Sequence, residues 1–405
     1  MKKKAGLLSL FAVTLLFSCG EKANVTSSIG EASSSLEEIS SSTNEGLTFK
    51  SGSSLIFTEF FKGSFTSDRA IEIGNIGTSP IDLNKYSIII YKSGSYDNPY
   101  EIKLSGTLDA KSTYVIAYKN ANESIKNIAN QLDDELPNIG SYPMVITDGT
   151  YFYDTLGTLG YSVSYCGDLD LVRKNEYMVG QEKFEAYDWI GYSNTEYSRL
   201  GVLECPLSEE ELLEGPRIDE PYNNSSFFKK GSTTLGGGGY IDVTVKSLVD
   251  GDTTKFYYPD EVNKAGYPDG TSVRYENIDT PEIYHGGNSP ADPWGDAAKD
   301  FTNGLLNKAK RIRLQSLPDV SITETYGRLL LYVWASNEDS GDDSFYMVNH
   351  QIVLNGYSNV AFSGDTSSKM LYKGISYYQF LIDAQNKAAK EGLKIHGEKD
   401  PNYNY

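Results

Sequence analysis

From residue 54 to about residue 228, short β-branched or aromatic runs alternate with clusters of Gly, Asn, Asp and Ser. "LIFTEFFKG", "AIEIGN", "YSIIIYKSG", "TYVIAYK", "DLDLVRK" and "AYDWIGYSN" each have the length of one strand, and the breaks between them carry turn chemistry. Many short strands separated by turns predict an all-β sandwich over residues 53–228. "KKGSTTLGGGGY" then predicts a Gly-rich linker over 229–239.

The pattern changes beyond it. "YIDVTVKSLVDGDTTKFYY" alternates as two strands around a DGD turn, and "SVRYENIDTPE" runs as a strand into Pro281. Ala297, Phe301, Leu305 and Ala309 fall four apart and predict a helix, with Asp292 before Pro293 as its cap and first turn. "RIRLQ" and "YGRLLLYVWAS" predict strands. "SFYMVNHQIVLNG" and "ISYYQFLIDAQNKAAKEGLKIHG" predict helices closed by Gly356 and Gly392. That order fits a small β-barrel flanked by helices over 240–397, leaving 398–405 as a tail.

At the other end, Lys2, Lys3 and Lys4 precede "AGLLSLFAVTLLFS", an apolar run too short to span a bilayer. It stops at "LFSCG", which resembles a bacterial lipobox, with Leu16, Ser18 and then Cys19. The resemblance implies removal of residues 1–18, lipid on Cys19, and a protein anchored at the outer face of the cell membrane. Residues 19–52 are Ser-rich and acidic and read as a tether. The remaining cysteines, Cys166 and Cys205, pair or stay as two buried thiols; the sequence allows both.

The formal charge is −19. Residues 240–405 hold sixteen Lys and Arg against twenty-three Asp and Glu, a net of −7, and the first 239 residues carry the other −12. Such a balance argues against holding nucleic acid by a broad basic face, but not against gripping phosphate locally through a cation and a few Arg.

"SVRYENIDTPE" has the residues for that. Asp252 follows a tight turn and Asp279 ends a strand. Together with the Thr280 carbonyl they would form a hard-oxygen site for Ca²⁺ with few protein ligands. Arg274 would share that pocket only if the strand after it twists or bulges, because a spacing of five otherwise sends Arg274 and Asp279 to opposite faces. Glu282, after Pro281, has the chemistry of a general base. Arg328, in "TYGRLLLYVW", would bring a second guanidinium to a phosphate. The plain alternative is a surface strand with solvated charges.

Two resemblances organise these pieces. The order "TEFFKG", "RAIEIGNIGTSPIDLNKYSI", "STYVIAY", "GDLDLVRK", "DWIGY" is similar to the lamin-tail domain, which implies an immunoglobulin-like sandwich over about 54–225 with an unidentified ligand. The order "VDGDT", "VRYENIDTPE", "PWGDAAKDFTNGLL", "YGRLLLYVW", "VNHQIVLNGYSNVAF" is similar to the staphylococcal nuclease (thermonuclease) family over about 240–397. That family implies a five-stranded OB barrel with three helices, hence an α+β domain. It also implies Ca²⁺ on Asp252, Asp279 and Thr280, general base Glu282, and phosphate-binding Arg274 and Arg328. Tyr326 and Phe362 would contact the substrate, DNA or RNA, which would be cut to 3′-phosphate ends. The chain departs from the family in an enlarged hairpin, "YYPDEVNKAGYPDG", in a longer loop after Glu282, and in Gly364, which replaces a second aromatic platform. The competing expectations are a phosphodiesterase for small nucleotides and a non-catalytic surface adhesion protein with a retained barrel.

Overall fold

A computed structural model describes residues 47–97, 99–137, 140–219, 222–284, 290–361 and 369–403. The signal-like segment, Cys19 and most of the expected tether lie outside them. The chain forms two compact units that divide between Ser208 and Glu209.

The first unit has a five-stranded sheet (Thr48–Phe49, Tyr151–Leu156, Met144–Thr147, Ser87–Ile90, Tyr100–Lys103) and a six-stranded sheet (Trp189–Ser193, Leu169–Arg173, Leu55–Lys62, Arg69–Asn75, Ser112–Tyr118, Gln131–Asp133), each given in spatial order. Phe57, Ile71 and Ile73 of one sheet share a core with Ile88, Met144 and Ile146 of the other, so the inward positions of both sheets are removed from water together. The outer face of the larger sheet is covered too, with Phe61, Ala70 and Val115 packing on Leu200. A buried ion pair, Arg173 Nη2 to Asp154 Oδ2 at 2.7 Å, is completed by the Phe57 and Gln181 amides, each donating to Asp154 at 2.8 Å. Cys166 and Cys205 are separate buried thiols, and burial pushes Cys166 up to about 12. They form no disulfide.

The second unit holds the barrel, whose elements are β1 (Tyr240–Leu248), β2 (Thr253–Tyr257), β3 (Ser272–Tyr275), β4 (Ile278–Asp279), β5 (Arg311–Gln315), β6 (Leu329–Ser336), β7 (Tyr346–Met347) and β8 (Asn359–Val360). The sheet runs β3-β2-β1-β5-β6-β7 and closes on itself through a parallel β3–β6 pairing, Val273 opposite Leu329. Five strands thus form the closed OB barrel around Phe256, Val273, Leu314, Leu331 and Val333. The helices are α1 (Glu209–Glu214), α2 (Asp260–Lys264, inside the enlarged hairpin), α3 (Gly295–Lys308), α4 (Val348–Leu354) and α5 (Tyr377–Lys390). Ser376 caps α5 by accepting from the Gln379 amide at 3.0 Å.

Two local expectations need correction. Asp292 does not cap α3; the residue before the helix is Trp294, in the left-handed conformation and without a side-chain cap. The run 229–239, expected as a linker, packs within the barrel unit. Gly236 donates its amide to the Val320 carbonyl at 2.8 Å, and a Cβ on Gly239 would lie 2.0 Å from the Ser225 carbonyl oxygen. These glycines serve close backbone approach rather than flexibility. Upstream of them Tyr222 and Phe227 belong to the barrel core, and the Tyr377 hydroxyl donates to the Arg217 carbonyl at 3.0 Å.

Candidate active site

The site lies where β1, β2, β3 and β4 turn at one rim of the barrel. The DGD turn closes when Val249 donates its amide to the Thr253 carbonyl at 2.9 Å, and Thr302 of α3 pins it by donating its hydroxyl to the Gly251 carbonyl at 2.7 Å. Thr253 stands opposite Arg274 across the β2–β3 ladder. This register brings Asp252 and Arg274 to the same edge.

Arg274 and Asp279 still need the strand between them to break, and Asn277 is where it does. Its φ is +62°, a left-handed conformation that Asn tolerates better than most residues. The Tyr332 hydroxyl donates to its side-chain oxygen at 2.7 Å, and Ala361 donates an amide to its carbonyl at 2.9 Å. The chain turns at Asn277, so the Arg274 guanidinium ion-pairs with both Asp252 and Asp279 and also donates to the Ile278 carbonyl at 3.1 Å. β4 is held in place by pairing with β8 and by the Asp279 amide donating to the Ser358 hydroxyl at 2.9 Å.

Asp252 is only 1% exposed. Its Oδ2 accepts from the Thr280 amide at 2.7 Å and the Thr280 hydroxyl at 3.0 Å. Its Oδ1 accepts from the Thr253 hydroxyl at 3.2 Å and pairs with Arg274, so both oxygens of the buried carboxylate are supplied with donors. Asp250, which the sequence reading did not single out, joins the cluster. Burial raises its pKa, while the Thr253 hydrogen bond and then the charges of Arg274 and Arg328 pull it down. Because Leu329 stands opposite Val273 in the β3–β6 pairing, Arg328 enters its strand beside the strand that carries Arg274. Arg328 itself is partly exposed, pairs with Glu324 Oε1 at 3.0 Å and lies beside the Tyr326 ring, 5.9 Å from its centroid. Tyr326 is 85% exposed.

Glu282 lies in a cleft of ≈ 450 Å³ lined also by Asp279, Thr280, Asp292, Trp294, Asn359 and Glu398. The structure thus gathers Asp252, Arg274, Asp279, Thr280 and Glu282 at one rim with Arg328 nearby. Phe362 lies outside the described residues. Among the described residues no three His, Cys, Asp or Glu side chains form a metal-binding group. The Arg274 guanidinium stands between the Asp252 and Asp279 carboxylates and ion-pairs with both, so a divalent cation held by this pair would take the place of that guanidinium. Two carboxylate oxygens and a carbonyl are the donors a hard cation accepts.

Fold and site together define an OB-barrel protein with carboxylates and arginines gathered at one rim. The staphylococcal nuclease homologue family matches residues 272–395. The thermonuclease of Staphylococcus hyicus is 30% identical over 144 residues, 36% of this chain and 68% of that protein. The chain belongs to the staphylococcal nuclease family. It is also 31% identical over 155 residues, 38% of its length, to the SPbeta prophage-derived endonuclease YokF of Bacillus subtilis (strain 168). Endonuclease YhcR of the same organism is 30% identical over 168 residues, 40% of this chain. The matches cover 44% of YokF and 12% of YhcR, so the chain spans less than half of either.

Proposed function

We propose that this protein is a nuclease that hydrolyses phosphodiester bonds of DNA or RNA with the aid of Ca²⁺ and releases 3′-phosphate ends. The observation that carries the reading is the convergence of Asp252 and Asp279 on a single positive group, with Glu282 in the adjoining cleft. Membership of a family that includes a thermonuclease supports it. Asp252, Asp279 and the Thr280 carbonyl would hold the ion. Bound there, it supplies positive charge against a phosphate oxygen. Arg274 and Arg328 offer forked donors to the phosphate, stabilising the charge that grows as water adds to phosphorus. Glu282 takes the proton from that water, the bond from phosphorus to the 5′ oxygen breaks, and that oxygen leaves as a 5′-hydroxyl protonated from solvent, so the phosphate stays on the 3′ side. Tyr326 offers its open ring face to a base, with Phe362 as a second contact.

The remaining parts of the proposal lie outside the barrel. Cys19 carries lipid and holds the protein on the outer face of the cell membrane. The sandwich is a lamin-tail-like, immunoglobulin-like accessory module with a ligand of its own.

The test is cleavage of single-stranded DNA and RNA by the full chain, with Ca²⁺ and with chelator, alongside Glu282→Gln. Calcium-dependent cutting that collapses in the variant supports the reading. Calcium binding without cutting of either polymer would reduce the barrel to a non-catalytic binding module.

A further inference from the structure

Trp294 has φ +69° and ψ −1°, a conformation disfavoured for any bulky L-residue and kept only where its surroundings over-determine it. Those surroundings come from residues a hundred positions later. The Trp294 amide donates to Asp400 Oδ2 at 2.7 Å, and the indole N–H donates to the Glu398 carbonyl at 3.2 Å. The Lys394 ammonium sits 5.2 Å from the indole centroid. Asp400 is 8% exposed, and its other oxygen accepts the Asn402 amide at 2.9 Å. The segment 394–402 therefore clasps Trp294 by backbone, ring edge and ring face.

The residues flanking Trp294 meet the backbone of Glu282. Gly295 donates its amide to the Asp292 carbonyl at 3.0 Å, and the Asp292 amide donates to the Glu282 carbonyl at 2.8 Å. The Glu282 amide returns a bond to Asp292 Oδ2 at 3.2 Å. A Cβ on Gly295 would lie 2.9 Å from the Glu282 carbonyl oxygen, so the start of α3 meets the Glu282 peptide without an intervening side chain. The left-handed turn at Trp294 makes that approach possible. Trp294 and Glu398 also line the cleft that holds Glu282.

We propose that Asp400 is a positioning residue for Glu282. Through Trp294 and the 292–295 turn it fixes the peptide that carries the general base, and this rests on the nuclease reading above. Misplacement of a reacting group by about 1 Å costs on the order of a hundredfold in rate.

The experiment uses the full chain on single-stranded DNA, with Asp400→Ala, Asp400→Asn, Glu282→Gln and the double variant Glu282→Gln/Asp400→Ala. Asp400→Ala is expected to lower kcat about ten- to hundredfold, with KM and calorimetric Ca²⁺ affinity unchanged. Asp400→Asn keeps one acceptor oxygen, enough for the Trp294 amide but not for the Asn402 amide as well, and recovers part of that loss. In the Glu282→Gln background, Asp400→Ala has no further effect, because it acts only through Glu282. Activity of Asp400→Ala within twofold of the parent would overturn the proposal. So would a full additional loss on top of Glu282→Gln, or a parallel loss of Ca²⁺ affinity, since either makes Asp400 a support of the whole barrel. A parent chain that cuts neither DNA nor RNA fails the nuclease reading itself, whereas a parent that cuts beside an unaffected Asp400→Ala fails this inference alone.

Discussion

Glu276 follows directly on the strand that carries Arg274, and its side chain is closed inside the barrel unit, 3% exposed. Burial by itself raises its pKa from 4.5 to about 7. Between those values the folded carboxyl keeps a proton that the unfolded chain has released, so unfolding liberates a proton and is favoured by rising pH. The contribution of Glu276 to stability is full below the ordinary carboxyl range and is lost as pH rises through about 7. At 1.36 kcal/mol per pKa unit, the accumulated loss is about 3 kcal/mol by pH 8, of which about 1 kcal/mol has already gone by pH 5.5. Gln has nearly the shape of the protonated acid and never ionises. Glu276→Gln is therefore expected to gain about 2 kcal/mol over the parent between pH 5.5 and pH 8. Urea unfolding of the full chain at both pH values measures it, with the barrel read from hydrogen-exchange protection of the β6 amides. A difference between variant and parent that is the same at both pH values would refute the reasoning, because it would mean that the Glu276 carboxylate is solvated when the protein is folded.

Two further expectations concern the rim. In Gly251→Ala the new methyl would lie 2.8 Å from the Thr280 hydroxyl and 3.0 Å from Ala298 Cβ; displacing Thr280 should weaken calorimetric Ca²⁺ affinity about tenfold, a cost of about 1.4 kcal/mol, and unchanged affinity would remove Thr280 from the ion site. Tyr326→Ala should raise KM for single-stranded DNA by the loss of one stacked base, about 1–3 kcal/mol, while kcat holds; a fall in kcat alone would place Tyr326 at the reacting phosphate instead.

Much of the barrel is legible in the chain because its signals are local. Alternation marks β1 and β2, a continuous apolar run marks β6, fourfold spacing marks α3, and glycines at 356 and 392 adopt the positive φ that ends α4 and α5. The candidate ligands were legible for the same reason: turn residues and Pro281 put Asp252, Asp279 and Glu282 at strand ends whatever the strands pair with. Side-chain period and turn chemistry depend only on near neighbours.

Other features depend on distant partners. Whether Arg274 could share a pocket with Asp279 rested on the bend at Asn277, which Tyr332 and Ala361 hold from elsewhere in the fold. Glycines 236–239 look like a hinge until Ser225 and Leu317 are seen to press against them. Asp292 looks like a helix cap until the Glu282 amide claims its side chain and Asp400 holds the next turn. The sequence by itself determined which residues stand at turns and strand ends, since that follows from local sterics and the alternation of side chains. Only the tertiary structure decided which of those ends meet, because closing β3 onto β6 and docking residues 394–402 on Trp294 each join segments tens of residues apart, and no local preference encodes such a pairing.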